Sequence, residues 1–442
     1  MEQENEVSPF FLCPISLQLM KDPVTVSTGI TYDRQSIEKW LFSSQNQTCP
    51  VTKQQLTHDD ENDLIILTPN HTLRRLIQAW CTINTSYGIQ RIPTPKAPTT
   101  KSLIEKHLKD ASDFSDSPHL LIQSLKNLKT IASESETNRR CIESAGAVEF
   151  LASIVTKNNT SSSSSCPSST TEFEVESTIL DDDDGFSFDF RVDAEDEAVN
   201  ILYNLHLTEQ GLITLLNFKN GEFLESLMRL LQKGNYDSRT YSVFLLKSIS
   251  KVADPTKLAN LKTEFFVELV QLLKDQISKK ASKATLQTLI QVVEFGRNRV
   301  KAIESGCVNV LIELLLDCKE RKPCEMILVL LEKLCQCADG RYELLSHGCG
   351  LAIVSKKILR VSTLANDRAV RILLSISRFS ATHFVVQEMV RIGVVAKLCL
   401  VLEVDSGNKA KEKAREILKL HAKSWRNSHC IPFNLLASYP TS

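Results

Sequence analysis

The sequence predicts a mostly α-helical chain: a small α+β head followed by a long array of stacked helices. Three observations carry this. Aromatics make up 6% of the 442 residues, and Gly and Pro number 14 each, which favours helix over sandwich or barrel. Turn, strand and short-helix signals are crowded near the N-terminus. Further on, one helical motif returns again and again, with glycines at 306, 348 and 393 that stand 42 and 45 residues apart.

Val24, Thr25 and Val26 alternate, Gly29 can supply the positive φ of a tight turn, and Ile30, Thr31 and Tyr32 return, which predicts a hairpin. Asp33 stands where a helix N-cap is expected. The helix it opens, Arg34 to Phe42, sets Ile37, Leu41 and Trp40 on one side. Pro50 breaks the following loop, and Asn70 can cap a second helix in which Leu73, Leu76, Ile77 and Trp80 follow helical spacing. This layout is RING-like, but a RING needs a full set of Cys and His zinc ligands. Residues 10–57 hold two cysteines, Cys13 and Cys49, and no histidine. No metal site and no cofactor are expected. An apolar core must hold the head, with polar staples drawn from Lys21, Asp22, Asp33, Arg34 and Glu38.

The motifs Cys13-Pro14-Ile15-Ser16, Met20 to Val24, Ser27 to Arg34, Cys49 to Lys53 and Asn70 to Ile77 resemble, in that order, a U-box. The whole chain resembles the plant U-box/armadillo E3 ubiquitin ligases, close to the group implicated in immune and stress signalling. The resemblance implies a scaffold: the head binds a ubiquitin-charged conjugating enzyme, makes no covalent bond with ubiquitin and contributes no catalytic residue. It puts docking on Ile15, Leu17, Trp40, Pro50 and Lys53, and structural roles on Cys13, Pro14, Val24, Gly29, Tyr32 and Asp33. Docking is favoured over a core role for Ile15, and both roles stand open for Trp40. Cys13 reads as a buried thiol, not a nucleophile, because no histidine partner is near in sequence. Many U-boxes carry Arg where Lys53 stands, and Lys lacks the planar fork that would hold ubiquitin's tail in place. Pairing of two heads into a homodimer is a further expectation of the resemblance.

The head is assigned to residues 6–80. Residues 81–102, with Pro93, Pro95, Pro98 and several threonines, read as a linker. Thr68 and Thr94 each precede a proline and are candidate phosphosites.

Residues 103–427 read as armadillo-like repeats, about six of them. Asn138 to Gly146, Asn298 to Gly306 and Gly340 to Gly348 are three copies of one motif, with weaker copies at Gly221 and Gly393 and one without glycine near Phe265. A helical period of about 40–47 residues is the armadillo or HEAT signature. The glycine is expected to turn the chain between the second and third helices of a unit. The step from Gly146 to Gly221 is too long, and the excess falls at 158–192, a Ser- and Asp-rich segment expected to be a disordered insertion. Twelve acidic residues and one arginine lie between Glu172 and Glu197, read as a solvated loop ahead of a site for a basic partner. The last helix, Asn408 to Trp425, is expected to cap the array, with 428–442 as a tail.

The formal net charge of −1 gives no field toward nucleic acid or anionic membrane. No apolar run approaches the ~20 residues of a membrane helix, and the acidic, polar start does not read as a signal peptide. The 13 cysteines are scattered in apolar segments, which suits reduced thiols in the cytoplasm, with the nucleus as an alternative. Three functions are compared: a ubiquitin ligase that takes protein substrates on its repeats, a non-catalytic armadillo adaptor, and an import-type carrier. The carrier is disfavoured because the three tryptophans, Trp40, Trp80 and Trp425, lie outside the repeated motif.

Overall fold

The computed structural model describes residues 7–43, 46–57, 65–94, 99–113, 117–157, 184–404 and 407–425. It forms two compact units, Met1–Gly211 and Leu212–Ser442.

The first unit begins with the head. Strand β1 (Pro23–Thr25) pairs antiparallel with β2 (Thr31–Asp33), Val24 opposite Tyr32, around a turn in which Gly29 has φ 82°. A third strand, β3 (Thr68–Pro69), joins the other edge of β1, with Thr68 opposite Thr25. Two residues next to a proline give no periodic signal, so the sequence does not reveal it. Helix α1 (Arg34–Glu38) continues as a π-helical turn over Lys39–Ser43. Helix α2 (His71–Ile83) is capped by Asn70, whose Oδ1 accepts from the Leu73 N–H at 3.0 Å.

The core gathers Cys13, Met20, Val24, Tyr32, Ile37, Leu41, Cys49, Ile77 and Cys81. Leu76, expected on the buried stripe of α2, is exposed; Ile77 and Cys81 are buried there instead, one turn apart. The segment 81–102 is not wholly a linker. Helix α2 runs on to Ile83, and Ile92 folds back into the same core, with Ile89 packed against it. These two isoleucines recover apolar area that the short hairpin cannot supply alone.

The head is followed by α3 (Lys101–Asp113), α4 (Pro118–Glu134), α5 (Glu136–Ser144), α6 (Ala147–Thr156) and α7 (Asp184–Asn204). Of the insertion expected at 158–192, residues 158–183 lie outside the described residues, as does the tail 428–442. Residues 184–192 are helical, the opening of α7.

The second unit repeats one theme: a short helix, a second helix and a third that is usually the longest. The triplets are α8 (Glu209–Asn217), α9 (Glu222–Lys233) and α10 (Tyr236–Val252); α11 (Pro255–Leu258), α12 (Thr263–Asp275) and α13 (Lys279–Val292); α14 (Gly296–Glu304), α15 (Cys307–Asp317) and α16 (Arg321–Leu334); α17 (Ala338–Ser346), α18 (Gly350–Lys357) and α19 (Thr363–Phe379); and α20 (His383–Arg391), α21 (Val394–Glu403) and α22 (Asn408–Leu420). The third helices pack one on the next, α10 on α13, α13 on α16, α16 on α19 and α19 on α22. Each therefore buries apolar residues on both flanks.

Where a triplet has a glycine turn, it lies between the first and second helices, not the second and third; the triplet around Phe265 has none. Gly306 and Gly393 sit in the left-handed region at φ 77° and 74°, as Gly146 does at 82° in the first unit. The short helix must reverse at once, and a side chain there would resist the positive φ. Gly348 departs from the motif: the bend is made by extended backbone at His347.

The rest of the repeated motif is also explained. Asn138 and Asn298 donate through Nδ2 to the carbonyls of Ile131 and Val292, at 3.1 and 2.9 Å. Arg139, Arg299 and Arg341 donate to the carbonyls of Ala132, Val293 and Cys335. These carbonyls lie in the last turns of, or just beyond, α4, α13 and α16, where no intrahelical donor remains. At the third copy Gly340 replaces Asn, because a Cβ there would collide with the Leu334 carbonyl.

The closing helix α22 breaks at His421, and a short α23 (Ala422–Trp425) follows. Trp425 is fully buried and its Nε1 donates to the Val386 carbonyl of α20 at 3.2 Å, so it seals the last triplet. Among the described residues no helix is long and apolar enough to cross a membrane.

Candidate functional site

The head carries two loops with one backbone design. In the first, the Cys13 N–H donates to the Gln18 carbonyl and the Leu17 N–H to the Cys13 carbonyl, both at 2.8 Å. In the second, the Cys49 N–H donates to the Gln54 carbonyl at 2.8 Å and the Lys53 N–H to the Cys49 carbonyl at 2.9 Å. Each reads Cys-Pro-X-Ser/Thr-X-Gln, and each is closed by a single antiparallel bridge, Leu12 to Leu19 and Thr48 to Gln55. The fifth residue of each stands in the left-handed region, Leu17 at φ 55° and Lys53 at 60°. A side chain there costs about 1–2 kcal/mol, which the closing hydrogen bonds and the proline-fixed entry offset.

Each loop is anchored by its thiol. Cys13 and Cys49 are fully buried. The Cys13 sulfur accepts from the Asp33 N–H at 3.3 Å. The Cys49 sulfur accepts from Thr28 Oγ1 at 3.3 Å and the Thr52 N–H at 3.4 Å, and lies 3.0 Å from the Tyr32 hydroxyl. Burial alone would raise both thiols. For Cys13 the hydrogen bonds from Ser16, Asp33 and Ile15 outweigh burial and lower its pKa. For Cys49 the bonds from Thr28, Thr52 and Tyr32 bring it down to about 6. Burial, and next the bond to Cys49, push the Tyr32 phenol well above its ordinary value. The Tyr32 hydroxyl also accepts from the Val51 N–H at 3.3 Å, so one fully buried tyrosine holds the second loop from below.

Asp33 precedes α1 but makes no side-chain cap to it. Its Oδ1 accepts from the N–H groups of Lys21 and Asp22, at 2.8 and 3.0 Å, and so ties the first loop's exit to the hairpin. Arg34 Nε donates to Asp22 at 2.6 Å, and Arg74 lies 3.8 Å from the same carboxylate. Of the expected staples, Lys21 takes part through its backbone; its side chain is exposed.

The predicted docking residues fall into two groups. Trp40 and Lys53 come together: Trp40 Nε1 donates to the Thr48 carbonyl at 2.9 Å, and Lys53 Nζ lies over the Trp40 ring, 5.4 Å from its centroid; Pro50, half-buried, belongs to the same loop as Lys53. Trp40 is half-buried, so one face packs on the core while the rest is open. Ile15 and Leu17 belong to the other loop. Ile15 is half-buried against the same core, and Leu17 is 74% exposed. Val51, the counterpart of Ile15 in the second loop, is 55% exposed and was not picked out from the sequence; the shared Cys-Pro-X pattern was the signal that could have found it. Val24 and Tyr32 are fully buried, whereas Pro14 is exposed at the tip of its loop. Thr68 is exposed within β3, and Thr94 is exposed as well, although Pro95 lies outside the described residues.

One contact has no sequence signal. Glu38, 4% exposed, reaches across 98 residues to the start of α5. Its carboxylate accepts from the Glu136 N–H at 3.1 Å and from Thr137 Oγ1 at 2.8 Å. Burial raises its pKa, against the pull of Thr137, Arg34 and the Glu136 N–H. Arg140 lies 5.9 Å from the Phe42 ring centroid beside it. Glu38 satisfies orphan donors at a helix start, so it fastens the head to the first repeat.

Comparison with known proteins agrees with this layout. The family profile described as "U-box domain" matches residues 7–86, and "Plant U-box protein ARM repeat region" matches 104–441. The chain is 53% identical to the Arabidopsis thaliana E3 ubiquitin-protein ligase PUB22, with all of both chains aligned. It is 50% identical to E3 ubiquitin-protein ligase PUB23 of the same plant, over all of this chain and 98% of that one. Among solved structures, one from a study of the interaction between cadherin and β-catenin superposes with a TM-score of 0.56 at 13% identity, covering 79% of this chain and 59% of that one; this likeness concerns the fold. With a thiol-anchored pair of loops in the head and glycine-punctuated helix triplets following it in sequence, the chain belongs to the plant U-box, armadillo-repeat family of E3 ubiquitin-protein ligases.

Proposed function

We propose that the head docks a ubiquitin-charged conjugating enzyme on the rim formed by Ile15, Leu17, Trp40, Pro50, Val51 and Lys53, while the helical repeats select the protein that receives ubiquitin. The observation that carries this reading is the paired Cys-Pro loops. They hold Leu17 and Val51 out to solvent on backbones fixed from beneath, and an exposed apolar rim on a rigid base is what a docking surface requires. The chain then acts by positioning. A substrate lysine's amino group attacks the thioester carbonyl, an isopeptide bond forms, and the conjugating enzyme's thiol leaves. Lys53 braces Trp40 by stacking over it, which supports a rim role for this side chain in place of the planar fork of an arginine.

The setting we propose is plant immune or abiotic-stress signalling in the cytoplasm, with pairing of heads and phosphate at Thr68 or Thr94 as modulators; both threonines are exposed. The test is reconstitution. Purified chain, ubiquitin, activating enzyme, ATP and a panel of conjugating enzymes should yield ubiquitin chains, and Ile15→Ala should lower the yield about tenfold or more, as a lost docking anchor of ~1.4 kcal/mol requires. No chains with any conjugating enzyme, and no effect of Ile15→Ala on any binding, would leave a non-catalytic adaptor.

A further inference from the structure

The open faces of the third helices in the second unit are stitched by charge pairs, with one exception. Lys333 at the end of α16 pairs with Glu294, next to the end of α13. Arg368 of α19 lies 3.1 Å from Glu332 of α16. Lys413 of α22 lies 3.3 Å from Asp367 of α19, and Arg378 of α19 pairs with Glu416 of α22. Cation and carboxylate are matched at each of these steps.

The step between α10 and α13 is different. It is stitched by a neutral hydrogen bond, Ser250 Oγ to Gln291 Oε1 at 2.6 Å. Near that bond Lys247 and Lys251 stand one turn apart on α10, while Lys283 lies toward the start of α13, two turns before Gln291. Lys247 is half-buried, and Lys251 and Lys283 are exposed. The charges that act on Lys247 are those of Lys251 and Lys283; with burial as the larger cause, they lower its pKa. Among the described residues no carboxylate is paired with any of the three. Arg239 of α10 pairs separately, at the opposite end of that helix, with Asp275. Three like charges border this one packing step with no paired carboxylate among the described residues, and an anionic partner would supply the missing counter-charge.

We propose that the α10–α13 step is a docking site for an acidic segment of a protein substrate. This deepens the reading of the repeats as the substrate-selecting part, and it names the chemistry selected. A chain with carboxylates spaced along it can reach all three ammonium groups at once. The attraction should weaken with salt, because the Debye length is ~10 Å at 0.1 M and shrinks as salt is added.

The test is direct binding to the full chain. A fluorescein-labelled peptide rich in Asp and Glu is titrated and followed by anisotropy, with a Lys-rich peptide of the same length and a single-stranded oligonucleotide as comparators. The acidic peptide should bind best. The triple substitution Lys247→Glu, Lys251→Glu, Lys283→Glu should weaken it about tenfold or more, and the triple Lys→Arg variant, which keeps the charge, should bind like the native chain. Circular dichroism of both variants guards against unfolding. Equal binding of the acidic and basic peptides, tighter binding of the oligonucleotide, or an unaffected Glu variant that remains folded would overturn the proposal. Self-ubiquitination is read in parallel. A Glu variant that loses peptide binding but still forms chains supports both readings. Native chain that binds the peptide but forms no chains contradicts the ligase reading and leaves the docking site standing.

Discussion

The two Cys-Pro loops of the head have the same hydrogen-bond frame and the same left-handed fifth residue, yet they are held differently. Beneath the first, the Asp33 N–H reaches the thiol from outside the loop, beside Ser16 and Ile15 of the loop itself; beneath the second, Thr28 and Tyr32 reach it from outside, beside Thr52 of the loop. The fifth residue also differs: Leu17 points its apolar side chain to solvent, while Lys53 lies over Trp40. A zinc-bound head would fix such loops with metal–thiolate bonds. Here a lone thiol in each loop serves as the acceptor, and the donors that reach it from outside the loop tie that loop to the hairpin.

The largest test of this difference is Tyr32. Tyr32→Ala empties a fully buried aromatic site and removes the second loop's support, and should cost the head ~3–5 kcal/mol in denaturant unfolding. Tyr32→Phe keeps the ring and should cost ~1–2 kcal/mol.

Next is the pair of thiols. Cys49→Ala should destabilise the head by ~1–3 kcal/mol, because Thr28 and Tyr32 lose the acceptor that ties them to the second loop, and Cys13→Ala by less, because Asp33 alone is lost from outside the first. The pH dependence separates the two further. Cys49 titrates at about 6 in the folded head against an ordinary value of 9.0. A group depressed on folding adds stability that is complete above its ordinary value and lost as pH falls through the folded one. The native head should therefore gain stability between about pH 6 and pH 9, and Cys49→Ala should remove that part of the gain. Melting temperatures across this range, with identical slopes for native and variant, would contradict the assignment.

Much of this head was legible in sequence. Gly29, Asn70 and the helix from Arg34 act locally, through turn, cap and period, and the structure has them as read. The repeats were legible for the same reason: Asn-Arg at 138 and 298 and the glycines at 146, 306 and 393 serve contacts within a few residues of themselves. What could not be read depends on distant partners. Asp33 binds back to Lys21 and Asp22, β3 finds β1 across more than forty residues, and Glu38 finds α5 across 98. The likeness of the two loops was present as a pattern, but only shared hydrogen bonds give it meaning.

A smaller effect sharpens the comparison at the fifth position. Leu17→Gly and Lys53→Gly relieve left-handed strain, so stability should change by no more than about 1 kcal/mol in either direction. Ubiquitin chain formation should nonetheless fall for both, because the rim loses its side chain. Loss of activity without loss of stability is the mark of a docking residue, and a parallel loss of both would return these residues to a structural role. Outside the loops, Glu38→Ala should destabilise the first unit by ~1–2 kcal/mol for the two orphaned donors at α5, with the head's own hairpin unchanged by nuclear magnetic resonance.

The most direct measurement of the central claim is single-turnover discharge of ubiquitin from a charged conjugating enzyme onto free lysine, with no substrate present. Native chain should accelerate discharge, and Ile15→Ala and Leu17→Gly should abolish most of that acceleration while each head still unfolds cooperatively at close to the native midpoint. Acceleration that persists in both variants would show that the paired loops are not the docking rim.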